Sequence, residues 1–197
     1  MKTRMTATFG IVPLLGERDE GSRLLARVAS GSASALAAVY DAHAERVYAF
    51  ARRLVGDDAA AEDLVHDVFL ALPAAASRYR GDASVRTFLL SIAQNQSRHH
   101  VRAAARRRAM LVRFEDEPRV PVAPPDREAE RAELANRLQR ALDALPLDQR
   151  IAFVLCEVEE QTSAEAAAIV GAPEGTVRTR LFHAKKKLRE ALDEERS

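Results

Sequence analysis

Tryptophan is absent from this 197-residue sequence, cysteine occurs once, and aromatic side chains make up only 5%. The single Cys156 rules out an internal disulfide framework and supplies too few thiolates for a cysteine-rich zinc site. Set among Val154, Leu155 and Val158, it reads as a small buried apolar residue rather than a redox sensor, and a reducing cytoplasm is the expected setting. No uninterrupted apolar run approaches the roughly 18 residues that a membrane-spanning helix needs. The apolar stretch from Ala7 to Gly16 follows Lys2 and Arg4 as a secretory leader would. Pro13 and two glycines interrupt it, however, and Glu17-Arg18-Asp19-Glu20 follows, which argues against cleavage. Excess charge of one sign is also missing: 30 basic and 29 acidic residues leave a net charge of +1. Any meeting with nucleic acid must therefore rest on local basic stretches. A Gly-rich phosphate loop, a Ser-His-Asp order and metal-ligand spacing are all lacking, so neither an enzyme nor a bound cofactor or metal is expected.

What the sequence does have is Ala, Leu, Arg and Glu in abundance, a mix that favours helices over sheets and predicts an all-α chain. Its length suits one or two compact domains. Apolar residues at Leu36, Val39, Tyr40, His43, Val47, Phe50 and Leu54 follow steps of three and four, the signature of an amphipathic helix. Gly56-Asp57-Asp58 supplies a stop and a new N-cap. Leu64, Val65, Val68, Phe69 and Leu72 then mark a second buried face, expected to end near Pro73. After the polar connection Arg78 to Asp82, the pattern Val85, Phe88, Leu89 and Ile92 opens a third helix that runs into Arg106, Arg107 and Arg108.

Periodicity fails between about Met110 and Asp126, where Pro118, Pro121, Pro124 and Pro125 remove backbone donors and disfavour helix before them. That stretch reads as a Pro-rich linker. Helical spacing resumes at Leu134, Leu138, Leu142 and Leu145, pauses at Pro146, and returns at Ile151, Val154, Leu155 and Val158. Thr162-Ser163-Ala164-Glu165 has capping-box spacing. Gly171 suits a left-handed C-terminal cap, and Pro173 suits the opening of a further helix. That last helix buries Val177, Leu181, Ala184, Leu188 and Leu192. Helix, brief turn and helix make a helix-turn-helix, whose second helix can enter the major groove.

Four segments, in order, carry a family resemblance. Ala61-Glu62-Asp63-Leu64-Val65-His66-Asp67-Val68-Phe69-Leu70 resembles the polymerase-binding helix of extracytoplasmic-function sigma factors, a group of the sigma-70 family of bacterial RNA polymerase subunits. Tyr79-Arg80-Gly81-Asp82-Ala83-Ser84-Val85-Arg86-Thr87-Phe88-Leu89-Leu90-Ser91-Ile92-Ala93-Gln94-Asn95 is similar to the family's promoter-melting segment. Ala144-Leu145-Pro146 with Gln149-Arg150, and then Pro173-Glu174-Gly175-Thr176-Val177-Arg178-Thr179-Arg180-Leu181, are similar to its terminal DNA-binding domain. The resemblance runs from about residue 22 to 193. It implies an arm over 1–20, a region 2 domain over 21–109, a linker over 110–130 and a region 4 helix-turn-helix domain over 131–197. The chain departs from the family pattern at four places. Phe88 stands where Trp is frequent, Gln94 and His183 where Arg is common, and His99 where an acid is common, which leaves the DNA preference open.

Each segment has an ordinary reading beside the functional one. Asp63, His66 and Asp67 share one side of a helix with Leu64 and Phe69 nearby. This is either a solvated face or a mixed surface for a basic partner helix, and the resemblance implies docking on the clamp helices of core RNA polymerase. Arg78, Tyr79, Arg80, Ser84, Thr87 and Phe88 could form a plain turn, or they could grip single-stranded DNA through cations and stacking. The resemblance implies capture of unstacked non-template bases, with Asn95 as a polar base contact and Arg98 and Arg102 beside it. Phe88 shares its spacing with Val85 and Ile92 and could equally be core. Arg98, Arg102, Arg106, Arg107, Arg108 and Arg113 form a run without an intervening acid that favours phosphate. Adjacent His99 and His100 cannot share a helix face, which disfavours a metal site.

On the last helix, Arg178, Thr179, Phe182 and His183 are placed at base edges, with Phe182 alternatively core. Thr176 lies at the start of that helix, and Arg180, Lys185, Lys186 and Lys187 face phosphate or solvent. The implied function is recruitment of core polymerase to a promoter and opening of its strands, with catalysis left to the polymerase. Promoter DNA and an anti-sigma inhibitor are the further partners this implies. A stand-alone helix-turn-helix regulator is the alternative.

Overall fold

The computed structural model describes residues 15–111 and 126–194, with side chains from 19 to 107 and from 133 to 193. Every regular element among the described residues is helical. No helix there is long and apolar enough to cross a membrane.

The first group holds α1 (Leu15–Ala29), α2 (Ala33–Val55), α3 (Asp58–Ala76) and α4 (Val85–Leu111). Its boundaries follow from side-chain caps. Ser32 Oγ accepts the Ala35 amide at 3.3 Å at the start of α2. Gly56, at φ 70°, ends that helix and donates its N–H to the Arg52 carbonyl at 2.9 Å. Asp57 then accepts the Ala60 amide at 2.7 Å and opens α3; an acidic cap both fills an orphan donor and meets the positive end of the helix dipole. Val39, Phe50 and Leu54 from α2, Leu64, Val68 and Leu72 from α3, and Leu89 and Leu90 from α4 are fully buried against one another. Leu25 and Val28 of α1 close this core. Helix α1 comes so near the start of α4 that a Cβ added at Gly21 would lie 2.8 Å from Val85 Cγ2.

The second group holds α5 (Asp126–Asp143), α6 (Leu147–Phe153), a π-helical continuation at Val154–Val158, α7 (Ser163–Val170) and α8 (Glu174–Glu194). The capping box forms as expected: the Glu165 amide donates to Thr162 Oγ1 at 3.2 Å, and Thr162 N–H donates to Glu165 Oε2 at 2.8 Å. Gly171 takes the left-handed C-cap at φ 66°. Pro173 sits one residue before α8 and its carbonyl accepts the Thr176 and Val177 amides. Ala141, Leu142 and Leu145 pack on Ala184 and Leu188, which seats α5 on α8. The two groups also meet: Ile151, Val154, Leu155, Ala166, Ile169 and Val177 join the buried cluster of the first group.

Some boundaries differ from the sequence reading. Helix α1 starts at Leu15, inside the stretch expected to be an arm, because Leu25 and Val28 give it a face to bury. Helix α3 runs through Pro73 to Ala76; the missing N–H costs one hydrogen bond, and burial of Leu72 and Ala76 on either side offsets it. Leu134 and Leu138, expected on a buried face, are 61% and 38% exposed, because only the C-terminal end of α5 meets α8. Helices α4 and α5 take up both ends of the expected linker; its residues 112–125, with Pro118, Pro121, Pro124 and Pro125, lie outside the described residues. So do residues 1–14 of the arm.

Candidate polymerase and nucleic-acid interfaces

Three surfaces gather the candidate residues. The first is a cleft between α2 and α3 of about 340 Å³, lined by Tyr40, Glu45, Tyr48, Glu62, His66 and Phe69 among others. The Tyr40 and Phe69 rings stack at 4.8 Å with a 59° tilt and form its apolar floor. Asp63 and His66 are exposed beside it, as is Leu70 at 65%. An aromatic floor with an acidic rim suits a basic partner helix with an apolar stripe. One of the expected contact residues, Leu64, is not at the surface. Leu64 is fully buried in the core and can only support the surface from beneath. Asp67 places its Oδ2 2.9 Å from Nε2 of the buried His100 of α4, which ties α3 to α4, while its side chain stays 48% exposed at the surface. Tyr40, Glu45, Glu62 and Leu70 are exposed here as well, although helical spacing alone places Tyr40 on the buried face.

The chemistry around this cleft is fixed locally. Tyr48 donates to Asp58 at 3.0 Å and Arg52 Nε donates at 2.5 Å, which clasps α2 to the start of α3. The Arg52 and Tyr48 hydrogen bonds hold the Asp58 carboxyl below the usual carboxylate range, and the bond to Asp58 raises the Tyr48 phenol. Burial, then the charges of Arg46 and Arg86, lower the His43 imidazole. Arg107 approaches Asp63 and Asp57 at 3.7 and 3.8 Å.

The second surface is a cleft of about 230 Å³ whose walls include Arg78, Tyr79, Arg80, Thr87, Phe88 and Ser91. Tyr79 donates its hydroxyl to the Ala83 carbonyl and stacks on Phe88 at 5.0 Å. Both rings are thereby fixed, and Phe88, half-buried, serves as both core and wall. Ser84 caps α4: its Oγ accepts the Thr87 amide at 3.1 Å and pairs with the Thr87 hydroxyl at 2.9 Å. Asn95, Arg98 and Arg102 lie exposed along one face of α4 beyond the cleft. Gln94 is 6% exposed, so this departure from the family pattern points into the protein. His99 is exposed and His100 buried, as their adjacency on a helix requires. The side chain of Arg108 and all of Arg113 fall outside the described residues.

The third surface is the outer face of α8. Arg178, Thr179, Phe182, His183 and Lys186 are exposed together on it, and Phe182 is 66% exposed, not core. Its ring meets His183 edge-on at 5.5 Å. Arg178 is held by Glu174 and the Thr179 hydroxyl by the Gly175 carbonyl, local bonds that pre-order both side chains. Thr176 is half-buried at the base of the helix. Arg180 does not face outward: its Nη2 donates to Asp148 Oδ2 at 2.8 Å on the opposite side. Lys185 pairs with Glu157 at 2.7 Å, and Lys187 is exposed. Cys156, below this module, has its thiol pKa raised mainly by burial, which keeps it in the unreactive form.

Comparison with known proteins matches these modules in order. Residues 39–107 match the family described as Sigma-70 region 2, and residues 135–188 match Sigma-70, region 4. ECF RNA polymerase sigma factor SigM of Mycobacterium tuberculosis is 32% identical over 194 residues, covering 95% of this chain and 94% of SigM. RNA polymerase sigma factor CarQ of Myxococcus xanthus is 32% identical, covering 85% and 95%. ECF RNA polymerase sigma factor SigE of Mycolicibacterium smegmatis is 36% identical over 76% of this chain, and the match spans 58% of SigE. Among solved structures, CnrH in complex with the cytosolic domain of CnrY superposes with a TM-score of 0.64 at 26% identity, covering 88% of this chain and 97% of CnrH. The sigma factor RpoE, in complex with the anti-sigma factor NepR from Bartonella quintana, superposes at 0.55 and 26% identity, covering 76% and 91%. With matches across both modules and near full-length coverage of SigM, this chain belongs to the extracytoplasmic-function sigma factors of the sigma-70 family.

Proposed function

We propose that the chain acts as an alternative sigma factor in the cytoplasm and divides its work among the three surfaces. The α2–α3 cleft docks on core RNA polymerase through Tyr40, Phe69, Asp63, His66 and Leu70. The Tyr79–Phe88 cleft receives an unstacked base of the non-template strand, Asn95 makes a polar contact to a base, and Arg78, Arg80, Arg98 and Arg102 follow the backbone. Base extrusion costs a few kcal/mol, and stacking at roughly 1–3 kcal/mol per base is of the size needed to offset it. The outer face of α8 reads the upstream duplex through Arg178, Thr179, Phe182, His183 and Lys186. Residues 21–109 and 131–197 correspond to the two working domains, with α1 extending the first. Catalysis belongs to the polymerase. The likeness to RpoE, solved with the anti-sigma factor NepR, supports an inhibitor of that kind for this chain.

The observation that carries the reading is an acid-rimmed aromatic cleft and an exposed arginine-bearing recognition helix on one chain. Asp63→Arg tests the first half. The Asp63 side chain is 62% exposed and, among the described residues, meets Arg107 at 3.7 Å, so the variant should keep its helicity and melting temperature. Its affinity for core polymerase is expected to fall about tenfold or more, since a like charge is placed against a basic partner. Undiminished retention on immobilised core polymerase would contradict the docking assignment.

A further inference from the structure

A large apolar ring stands in the open on α8. Phe182 is 66% exposed, although Val177 and Ala184 of the same helix are buried and Leu181 beside it packs on the core. The ring belongs instead to the outer face, with Arg178, Thr179, His183 and Lys186. The His183 imidazole meets it edge-on at 5.5 Å and limits how it can turn. Thr179, three residues earlier, already donates its hydroxyl to the Gly175 carbonyl at 2.9 Å, so the group it has left to offer is its methyl. Residues three apart on a helix are neighbours, and this methyl and the Phe182 ring make one small apolar spot.

The surroundings of that spot decide what can cover it. Phe182 shares a groove of about 380 Å³ with Lys185, Lys186 and Arg189, and Arg178 lies one turn before it. The nearby acids Glu174 and Glu190 are each met by a cation of the same helix, Arg178 and Lys186. A cationic rim around an apolar spot suits a polyanion that carries an apolar group below its charged edge, and duplex DNA is built that way. The base edges in the major groove are hydrogen-bonding groups with a single apolar exception, the C5 methyl of thymine. An unmethylated cytosine or a purine would turn polar atoms toward the ring and leave them without partners.

We infer that Thr179 and Phe182 read the C5 methyl group of one pyrimidine in the upstream element, whether thymine or 5-methylcytosine carries it. Arg178 stands four residues before Phe182, about 6 Å along the helix. The methyl therefore lies roughly two base-pair steps of 3.4 Å from the base that Arg178 reads. Cytosine methylation at that position becomes a signal the chain senses, because it converts a base the ring rejects into one it accepts. The inference rests on the reading of α8 as the helix that enters the major groove, and it names the ligand of that face.

The test uses the full chain bound to core polymerase, with a duplex whose upstream element has been selected from a randomised pool. Thymines of the element are replaced one at a time by deoxyuridine, which removes the methyl and nothing else. At one position affinity should fall about fourfold, the worth of one buried methyl-sized group. At the same position 5-methyldeoxycytidine should bind about fourfold tighter than deoxycytidine. Phe182→Ala should treat thymine and uracil alike, whereas Phe182→Leu should keep the distinction; the exposure of Phe182 lets both variants fold. Sequence-selective binding that ignores the methyl at every position would overturn the inference. So would a Phe182→Ala variant that keeps the full methyl effect, or one whose only loss is in core polymerase affinity, which would make the ring a protein contact. A chain with no sequence-selective duplex binding at all would overturn the reading of α8 itself, and the assigned ligand with it.

Discussion

Arg150→Met is expected to cost the protein about 3–5 kcal/mol of stability, a large part of the 5–15 kcal/mol typical of a folded domain. Arg150 is 3% exposed and acts as a hub. Its Nη1 donates to the Leu54 carbonyl at 2.5 Å and to Asp143 Oδ1 at 2.8 Å, and its Nη2 donates to the carbonyls of Asp143 at 2.7 Å and Leu145 at 3.4 Å. These bonds satisfy the last carbonyl of α5, the Leu145 carbonyl just beyond it and a carbonyl at the end of α2, and helix ends leave such acceptors without intrahelical partners. Methionine fills similar space but donates nothing, so the acceptors stay buried and lose a charged donor. Arg150→Lys should recover little, because an ammonium cannot reproduce the planar fork. Thermal melting followed by circular dichroism measures both variants. A methionine variant that melts with the wild type would show that the hub is dispensable.

Arg178→Ala is expected to lower discrimination at one base pair of the upstream element by about 1–3 kcal/mol, or roughly five- to 150-fold. Arg178 stands exposed next to Thr179 and Phe182, and Glu174 keeps it extended along the helix. Arg180, two residues on, points the other way to Asp148, so Arg180→Ala should leave base preference unchanged. Binding of each variant to a duplex library with every upstream position randomised distinguishes them. Core polymerase affinity should be the same for both, since α8 lies outside the docking cleft. An unchanged preference in Arg178→Ala, or an equal loss in Arg180→Ala, would remove Arg178 from the base-reading set.

The helices that carry function were legible because local rules coincide with tertiary demand. The Thr162–Glu165 capping box, Gly171, and the Gly56-Asp57 stop and cap all have geometry set within a few residues, and all were found from spacing alone. Helix α1 was missed because it has few apolar residues, and Leu25 and Val28 are meaningful only once α3 and α4 are there to receive them. Spacing identifies a face, but not whether a partner covers it. This is why spacing puts Tyr40 in the core although it lines the α2–α3 cleft, and Leu134 on a buried face although it is exposed. Internal partners of several candidate site residues escape spacing for a related reason. Leu64, Asp67, Ser84 and Arg180 have the right side-chain chemistry, but each is already engaged within the protein, by core, by His100, by the start of α4 and by Asp148. Pairs such as Arg86–Glu159 and Arg98–Asp148 join residues far apart in sequence, and no local pattern records them.

Run-off transcription with core RNA polymerase on a library of genomic fragments, with and without this chain, tests the central claim most directly. Sequence-selective RNA start sites that appear only when the chain is added, and vanish with Asp63→Arg, are the expected result. Unchanged start sites, together with tight binding of the free chain to promoter duplex, would contradict it and point to a regulator that works without the polymerase.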